Sequence, residues 1–320
     1  MKKILIILSC LFCANVVLGQ QQEHYSMYMM NYYLVNPAEG GTDDYVDLKL
    51  GYRTQWVGLE GAPKTLFLSG HAAINKHETK DESVQQLPYH GAGGAVISDQ
   101  IGPYNITTIK GSYAYHLPVS KKLTVSLGAF LGVKQYKMDI NLLESDKDGT
   151  IDPVAENTAT SIVPDASAGL WMVYDKKIFG GFSAFQLLGN SINMSDVDAA
   201  SLKGTLARHY FGTVGYNIKL NDKFNLVPSI VAKAVAPAPV SIDVNAKFRY
   251  QDQAWIGLSY RNQDAVIGMV GITLKKLVDV AYAFDFNMSE LKTYNSGTHE
   301  ILIGLRLPNH QHTPPPSQFW

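Results

Sequence analysis

Strict alternation of greasy and wet residues, recurring down the chain, limits what this sequence can become. Val46, Leu48, Leu50, Tyr52, Thr54 and Trp56 alternate with Asp47, Lys49, Gly51, Arg53 and Gln55. Successive side chains of a strand point to opposite faces, so this run is a strand with one apolar and one polar side. Gly58, Gly61 and Pro63 interrupt it as turn residues do, and a second alternating run begins at Lys64. The same pattern returns in Ser241–Tyr250, where Ile242, Val244, Ala246, Phe248 and Tyr250 oppose Ser241, Asp243, Asn245, Lys247 and Arg249. It returns again in Leu277–Phe286, with Asp279 and Asp285 on the wet side, and in Thr298–Leu307, with Glu300, Gly304 and Arg306 there.

About fourteen such segments can be counted, an even number of the kind bacterial outer-membrane barrels use. Many are close to the 9–11 residues that cross a bilayer at a tilt. No segment has a helical period. A soluble sandwich would also alternate, but so many strands would leave edges to protect, whereas a closed ring satisfies every backbone group in lipid. The expected fold is therefore all-β: a transmembrane antiparallel outer-membrane β-barrel over residues 46–307. Connection lengths agree. If both ends of the chain are periplasmic, the short links Leu117–Lys122, Asp175–Lys177, Lys219–Lys223, Gln251–Gln253 and Lys275-Lys276 fall on the periplasmic side. The long stretches Lys134–Ile162 and Leu188–Leu206 fall outside, the asymmetry outer-membrane barrels have. The longer Asn75–Pro88 is the exception. On this reading Phe248 lies near mid-strand and faces lipid, while its neighbour Lys247 faces the lumen.

Three further regions flank the barrel. Residues 1–19 read as a secretory signal peptide, with Lys2 and Lys3 ahead of a short apolar core and small residues before Gly19. Both cysteines, Cys10 and Cys13, lie in it, and Cys10 comes too early for a lipid attachment site. A mature chain without cysteine has no disulfide, thiol nucleophile or cysteine metal site. Without Lys2 and Lys3, 25 basic residues stand against 28 acidic ones, which gives no electrostatic basis for nucleic-acid binding. Residues 20–45, rich in Tyr and Met and ending at Asn36-Pro37, are expected to pack on or in the barrel. Residues 308–320 form a Pro-rich tail that should be extended, closed by Phe319 and Trp320.

Candidate chemistry is sparse. The inward charges Asp47, Lys49, Arg53, Asp243, Lys247, Arg249, Arg261, Asp279, Asp285, Glu300 and Arg306 have mixed signs, as a structural ion-pair network does. Glu144 to Asp152 resembles a calcium loop, but a turn at Gly149 puts Ala155 where the bidentate ligand belongs. His299-Glu300 opens like a zinc-helix motif, yet no second His follows and the segment alternates as a strand. No spacing supports a nucleophile with its base. The expectation is a protein with no catalytic, cofactor or metal site.

The run Tyr52–Gly70, "YRTQWVGLEGAPKTLFLSG", resembles the PorP/SprF family of type IX secretion membrane proteins, as do "YSMYMMNYYLVNPAEGG" upstream and "SGTHEILIGL" near the end. The matching positions are Asn36, Pro37, Tyr52, Arg53, Gln55, Trp56, Gly61, Ala62, Pro63, Lys64, Arg261, His299 and Glu300. The resemblance implies an outer-membrane barrel of the secretion and gliding machinery with a structural role for these residues. It would help export or hold a secreted partner such as an adhesin. A passive porin or solute transporter is the alternative. Partners implied are secreted type IX cargo outside, periplasmic machinery proteins and outer-membrane lipid. The outer acidic loop with Asp146, Asp148 and Asp152, and the terminal Phe319 and Trp320, are the expected partner contacts.

Overall fold

The computed structural model describes residues 24–76, 86–139, 159–193 and 203–309. The leader, the calcium-like loop with Asp146, Asp148 and Asp152, and the tail with Phe319 and Trp320 lie outside the described residues. The chain closes into a barrel of fourteen antiparallel strands. In order they are β1 (Tyr45–Thr54), β2 (Lys64–Ile74), β3 (Tyr89–Ile101), β4 (Tyr104–Pro118) and β5 (Leu123–Met138). Then come β6 (Ala159–Tyr174), β7 (Ile178–Phe185), β8 (His209–Tyr216), β9 (Phe224–Val235) and β10 (Ser241–Tyr250). The last four are β11 (Ala254–Arg261), β12 (Ala265–Leu274), β13 (Val278–Asn287) and β14 (Thr298–Pro308).

Each strand pairs with its sequence neighbours, and β1 closes on β14 from Tyr45↔Pro308 to Thr54↔His299. A short pair outside the ring, Ser191–Asn193 with Lys203–Thr205, was not apparent in the alternation because each piece is only three residues long. Around it Tyr136, Met138, Val163, Ile192 and Leu206 bury one another where β5 and β6 rise past the rest of the wall.

The pleat sorts the side chains by face, and the wet face is the buried one. Asp243, Asn245, Lys247 and Arg249 of β10 are buried, while Ile242, Val244 and Tyr250 are exposed. A soluble protein does the reverse; here the exposed face is the one lipid solvates. Leu68, Leu127, Leu131, Leu258 and Ile303 form the exposed apolar belt. Aromatic rings border it at both ends: Tyr115, Tyr174, Tyr216 and Tyr250 at one, and Tyr52, Tyr210, Tyr260 and Phe286 at the other. Amphipathic rings favour the membrane–water boundary, so the two rows mark its levels. Phe248 belongs to the lower row rather than to mid-strand, since it stacks on Phe224 beside the β8–β9 turn.

Candidate functional site

The lumen is occupied by the chain's own amino-terminal segment. Residues 24–44 carry three single 3-10 turns, Tyr28–Met30, Tyr32–Leu34 and Pro37–Glu39, joined by bends and irregular turns. A run of Tyr and Met with no period of 2 or 3.6 makes neither strand nor helix. Nearly every one of these residues is buried, Tyr33 and Ala38 completely. Their rings pack against inward aromatics of the wall: Tyr25 on Phe67, Tyr32 on Trp171 and Phe179, and Tyr33 on Phe130.

The upper end of this plug is held by charge. The Arg53 guanidinium bonds Glu300 Oε2 at 3.1 Å and Asp285 Oδ2 at 3.0 Å, and it also donates to Ser26 Oγ. Glu300 in turn accepts from the backbone N–H of Ser26 at 2.7 Å and of Met27 at 3.1 Å. Ser26 Oγ donates to Asp285 at 2.7 Å. Beside this knot, Arg261 bonds Asp243 through Nε and Nη2 and reaches the Tyr25 carbonyl at 3.3 Å. Strands β1, β10, β11, β13 and β14 thus grip three consecutive plug residues. Buried ion pairs of this kind depend on further hydrogen bonds to their free lone pairs and protons, and the plug backbone supplies three of them, to Glu300 and Arg261.

The middle and lower plug is held by shape and neutral hydrogen bonds. Asn36 caps the turn at Pro37, its Oδ1 accepting from the Ala38 N–H at 3.0 Å. Its Nδ2 donates to the Leu170 carbonyl of the adjoining wall at 3.0 Å. The turn lies so close to the wall that a Cβ on Gly169 would sit 2.1 Å from Asn36 Oδ1, and one on Gly128 would sit 2.5 Å from Ala38. Glycine is required at both places by this close approach. Gly128→Val is therefore expected to cost about 1–3 kcal/mol by overpacking, read as a lowered urea midpoint of the folded barrel. Further down, His116 donates to the Gly40 carbonyl at 3.0 Å and Lys76 to that of Thr42 at 2.6 Å.

The residues singled out from the sequence divide into those that meet the plug and those that do not. Asn36 and Pro37 belong to the plug, and Arg53, Arg261 and Glu300 converge on it from positions far apart in the chain. Tyr52 and His299, their immediate neighbours, face the opposite way: Tyr52 is exposed among the outer aromatics, and the His299 ring meets the Tyr282 hydroxyl at 2.7 Å. Gln55, Trp56, Gly61, Ala62, Pro63 and Lys64 shape the β1–β2 loop. There the Gln55 N–H bonds the Pro63 carbonyl, the Trp56 N–H bonds Thr298 Oγ1, and Gly61 accepts from Gly102. Ser26 and the clamping roles of Asp285 and Asp243 were not singled out, because nothing in spacing links Ser26 to residues more than 250 positions away.

The other inward charges pair as well, Lys49 with Asp47 and Arg306 with Asp279. Lys247 instead lies over the Trp255 ring at 4.4 Å, with Met30 sulfur 2.8 Å from its Nζ. Among the described residues no group of three or more His, Cys, Asp or Glu is placed to hold a metal ion. No described helix is long and apolar enough to cross a membrane.

Among solved structures the barrel is similar to the CymD monoaromatic hydrocarbon channel, with 12% identity, 92% of this chain and 96% of that chain covered, and a TM-score of 0.50. It is also similar to a FadL homologue of Pseudomonas aeruginosa, at 11% identity, 90% and 94% coverage and a TM-score of 0.47. The Pseudomonas putida toluene transporter TodX matches at 11% identity, 89% and 93% coverage and a TM-score of 0.46. At such identities the likeness concerns the barrel fold alone. No functionally curated protein matches the sequence significantly. The family model described as type IX secretion system membrane protein PorP/SprF matches residues 17–305. The match spans the plug, its clamp and all but the end of the last strand, so this chain, an outer-membrane β-barrel, belongs to the PorP/SprF family of type IX secretion system membrane proteins.

Proposed function

We propose that this barrel serves type IX secretion by its two faces rather than by a pore. In this reading it helps export a secreted partner such as an adhesin, or holds that partner at the surface. The observation that carries the reading is the plug: residues 24–44 fill the lumen and are tied to the wall from end to end. A lumen occupied by buried Tyr rings and Met side chains supports this reading over a passive porin or solute transporter.

The two faces differ in chemistry. The periplasmic turns are short and basic, with Lys121 and Lys122, Lys176 and Lys177, Lys219 and Lys223, and Lys275 and Lys276, all exposed. Asp175 bridges two of these turns through Lys177 at 2.8 Å and Lys122 at 3.6 Å. The hydrogen bond from Lys177 holds its carboxyl below the usual range. A flat basic rim suits an acidic periplasmic component of the machinery, since complementary potentials speed and orient encounter. The outer side carries the long acidic loop with Asp146, Asp148 and Asp152, which suits a partly basic secreted partner. Phe319 and Trp320 supply an aromatic anchor for a periplasmic protein.

The test is deletion of residues 141–157 with barrel assembly verified by heat-modifiable mobility. Loss of one surface protein, with other type IX export intact, is the expected result. Unchanged surface proteins together with faster liposome swelling would replace this reading with solute transport.

A further inference from the structure

We propose that the outer wall holds one phospholipid molecule in a fixed place, with an acyl chain in a groove over β2–β4 and the phosphate at His90 and Tyr113. The site does not rest on the function proposed above.

The groove comes from side chains the wall lacks. Gly70, Gly94 and Gly111 face outward in one register row across three strands, and Ala72 pairs with Ala92 in the next row. They leave a groove of about 560 Å³ in the apolar belt. Packing does not force this bareness. A Cβ on Gly111 would meet nothing nearer than 3.9 Å, whereas Gly128 and Gly169 on the inner face have no such room. This face is solvated by lipid, so lipid is what meets the groove.

The shape favours an acyl chain over a protein segment. Leu68, Val96 and Ile109 close the groove on one side, in the register row above the glycines. Leu48 and Leu131 flank the glycine row at its two ends. Three strands and two outward rows make an opening roughly 10 Å in each direction. A spanning helix or strand crosses about 30 Å of hydrocarbon and would ride on this rim. A flexible chain bends into it.

Below the groove the same face turns polar. His90 pairs in register with Tyr115, one of the aromatic row that marks the membrane boundary. Its Nδ1 lies 2.6 Å from the exposed Tyr113 hydroxyl. When that hydroxyl donates, Nε2 carries the ring proton and can donate to a phosphate oxygen. Lys121 and Lys122, exposed on the turn after β4, add positive charge at the headgroup level. Ala92, where the groove begins, is two residues from His90 on the same face. A lipid with its phosphate at His90 therefore has its chain at the groove.

The test uses the full-length barrel, purified in detergent and stripped of lipid. It is offered dioleoyl-phosphatidylglycerol, or dioleoylglycerol, which has the same chains and no phosphate. Native mass spectrometry counts the molecules retained. Wild type is expected to keep one phosphatidylglycerol and severalfold less dioleoylglycerol. Gly111→Leu fills the groove and should lose that molecule. Gly268→Leu adds the same bulk elsewhere on the lipid face, where a Cβ meets nothing within 4 Å, and should keep it. His90→Ala should lower phosphatidylglycerol retention severalfold and leave dioleoylglycerol unchanged. Ala92→Leu fills the groove from β3 and replaces Gly111→Leu if that variant does not fold. Equal retention of the two lipids by wild type would overturn the phosphate site. Equal retention by wild type and the filled variants would overturn the groove. A protein bound to wild type from native membrane and lost on filling would overturn the lipid in favour of a protein occupant.

Discussion

Arg53→Ala should lower the stability of the folded barrel by about 3–5 kcal/mol, the range for removing one partner of a buried, hydrogen-bonded ion pair. The guanidinium touches Glu300, Asp285 and Ser26 at once, and all four residues are buried. Without it two carboxylates face each other in a site closed to water. Most of the cost is their uncompensated charge rather than the value of the bonds lost. Arg53→Lys keeps the charge but not the planar fork that spans both carboxylates, so it should fall between wild type and Arg53→Ala. Chemical denaturation in detergent, followed by the heat-modifiable gel shift, measures the order. A midpoint for Arg53→Ala within error of wild type would mean that the clamp does not hold the plug as described. Because Ser26 and Met27 donate to Glu300, residues 24–27 should also become more open to protease in the Arg53→Ala protein.

Leu258→Arg should cost about 2–4 kcal/mol, the penalty for an arginine on the lipid face near the bilayer midplane. Leu258 is 60% exposed, pairs with Ala246 and Gly268, and lies midway between the two aromatic rows. Phe248→Arg, on the same outward face two residues along from Ala246, should cost only about 0–1 kcal/mol. The difference is depth. Phe248 stacks on Phe224 beside the periplasmic turn, where an arginine can reach headgroups and water. Equal folding yields for the two variants in bilayers would show that the membrane levels are misplaced.

The wall of this protein could be read from its residues because a strand has a period of two. Asp243, Lys247, Asp279, Glu300 and Arg306 were assigned to the lumen from alternation alone, and all are buried there. The hairpin links were readable for a related reason: turns such as Asp175–Lys177 and Lys275-Lys276 are too short to be anything else. The family motif was readable too, but not its purpose. Arg53 and Tyr52 are neighbours in sequence, yet one clamps the plug and the other faces lipid. Pairing register decides this, since one step along a strand changes the face.

The path of residues 24–44 belongs to the tertiary structure. A Tyr- and Met-rich segment without period carries no local instruction for where it lies, and its 3-10 turns are too short to set a direction. Its position comes from contacts made across more than 200 residues, Ser26 to Glu300 and Asp285 at one end, and from the space left by Gly128 and Gly169 in the middle. Those partners face one another only after β1 has paired with β14 and the ring has closed. Pairing rules, which act between neighbours, prescribe the barrel; what fills it is chosen by side chains that meet only once the barrel exists.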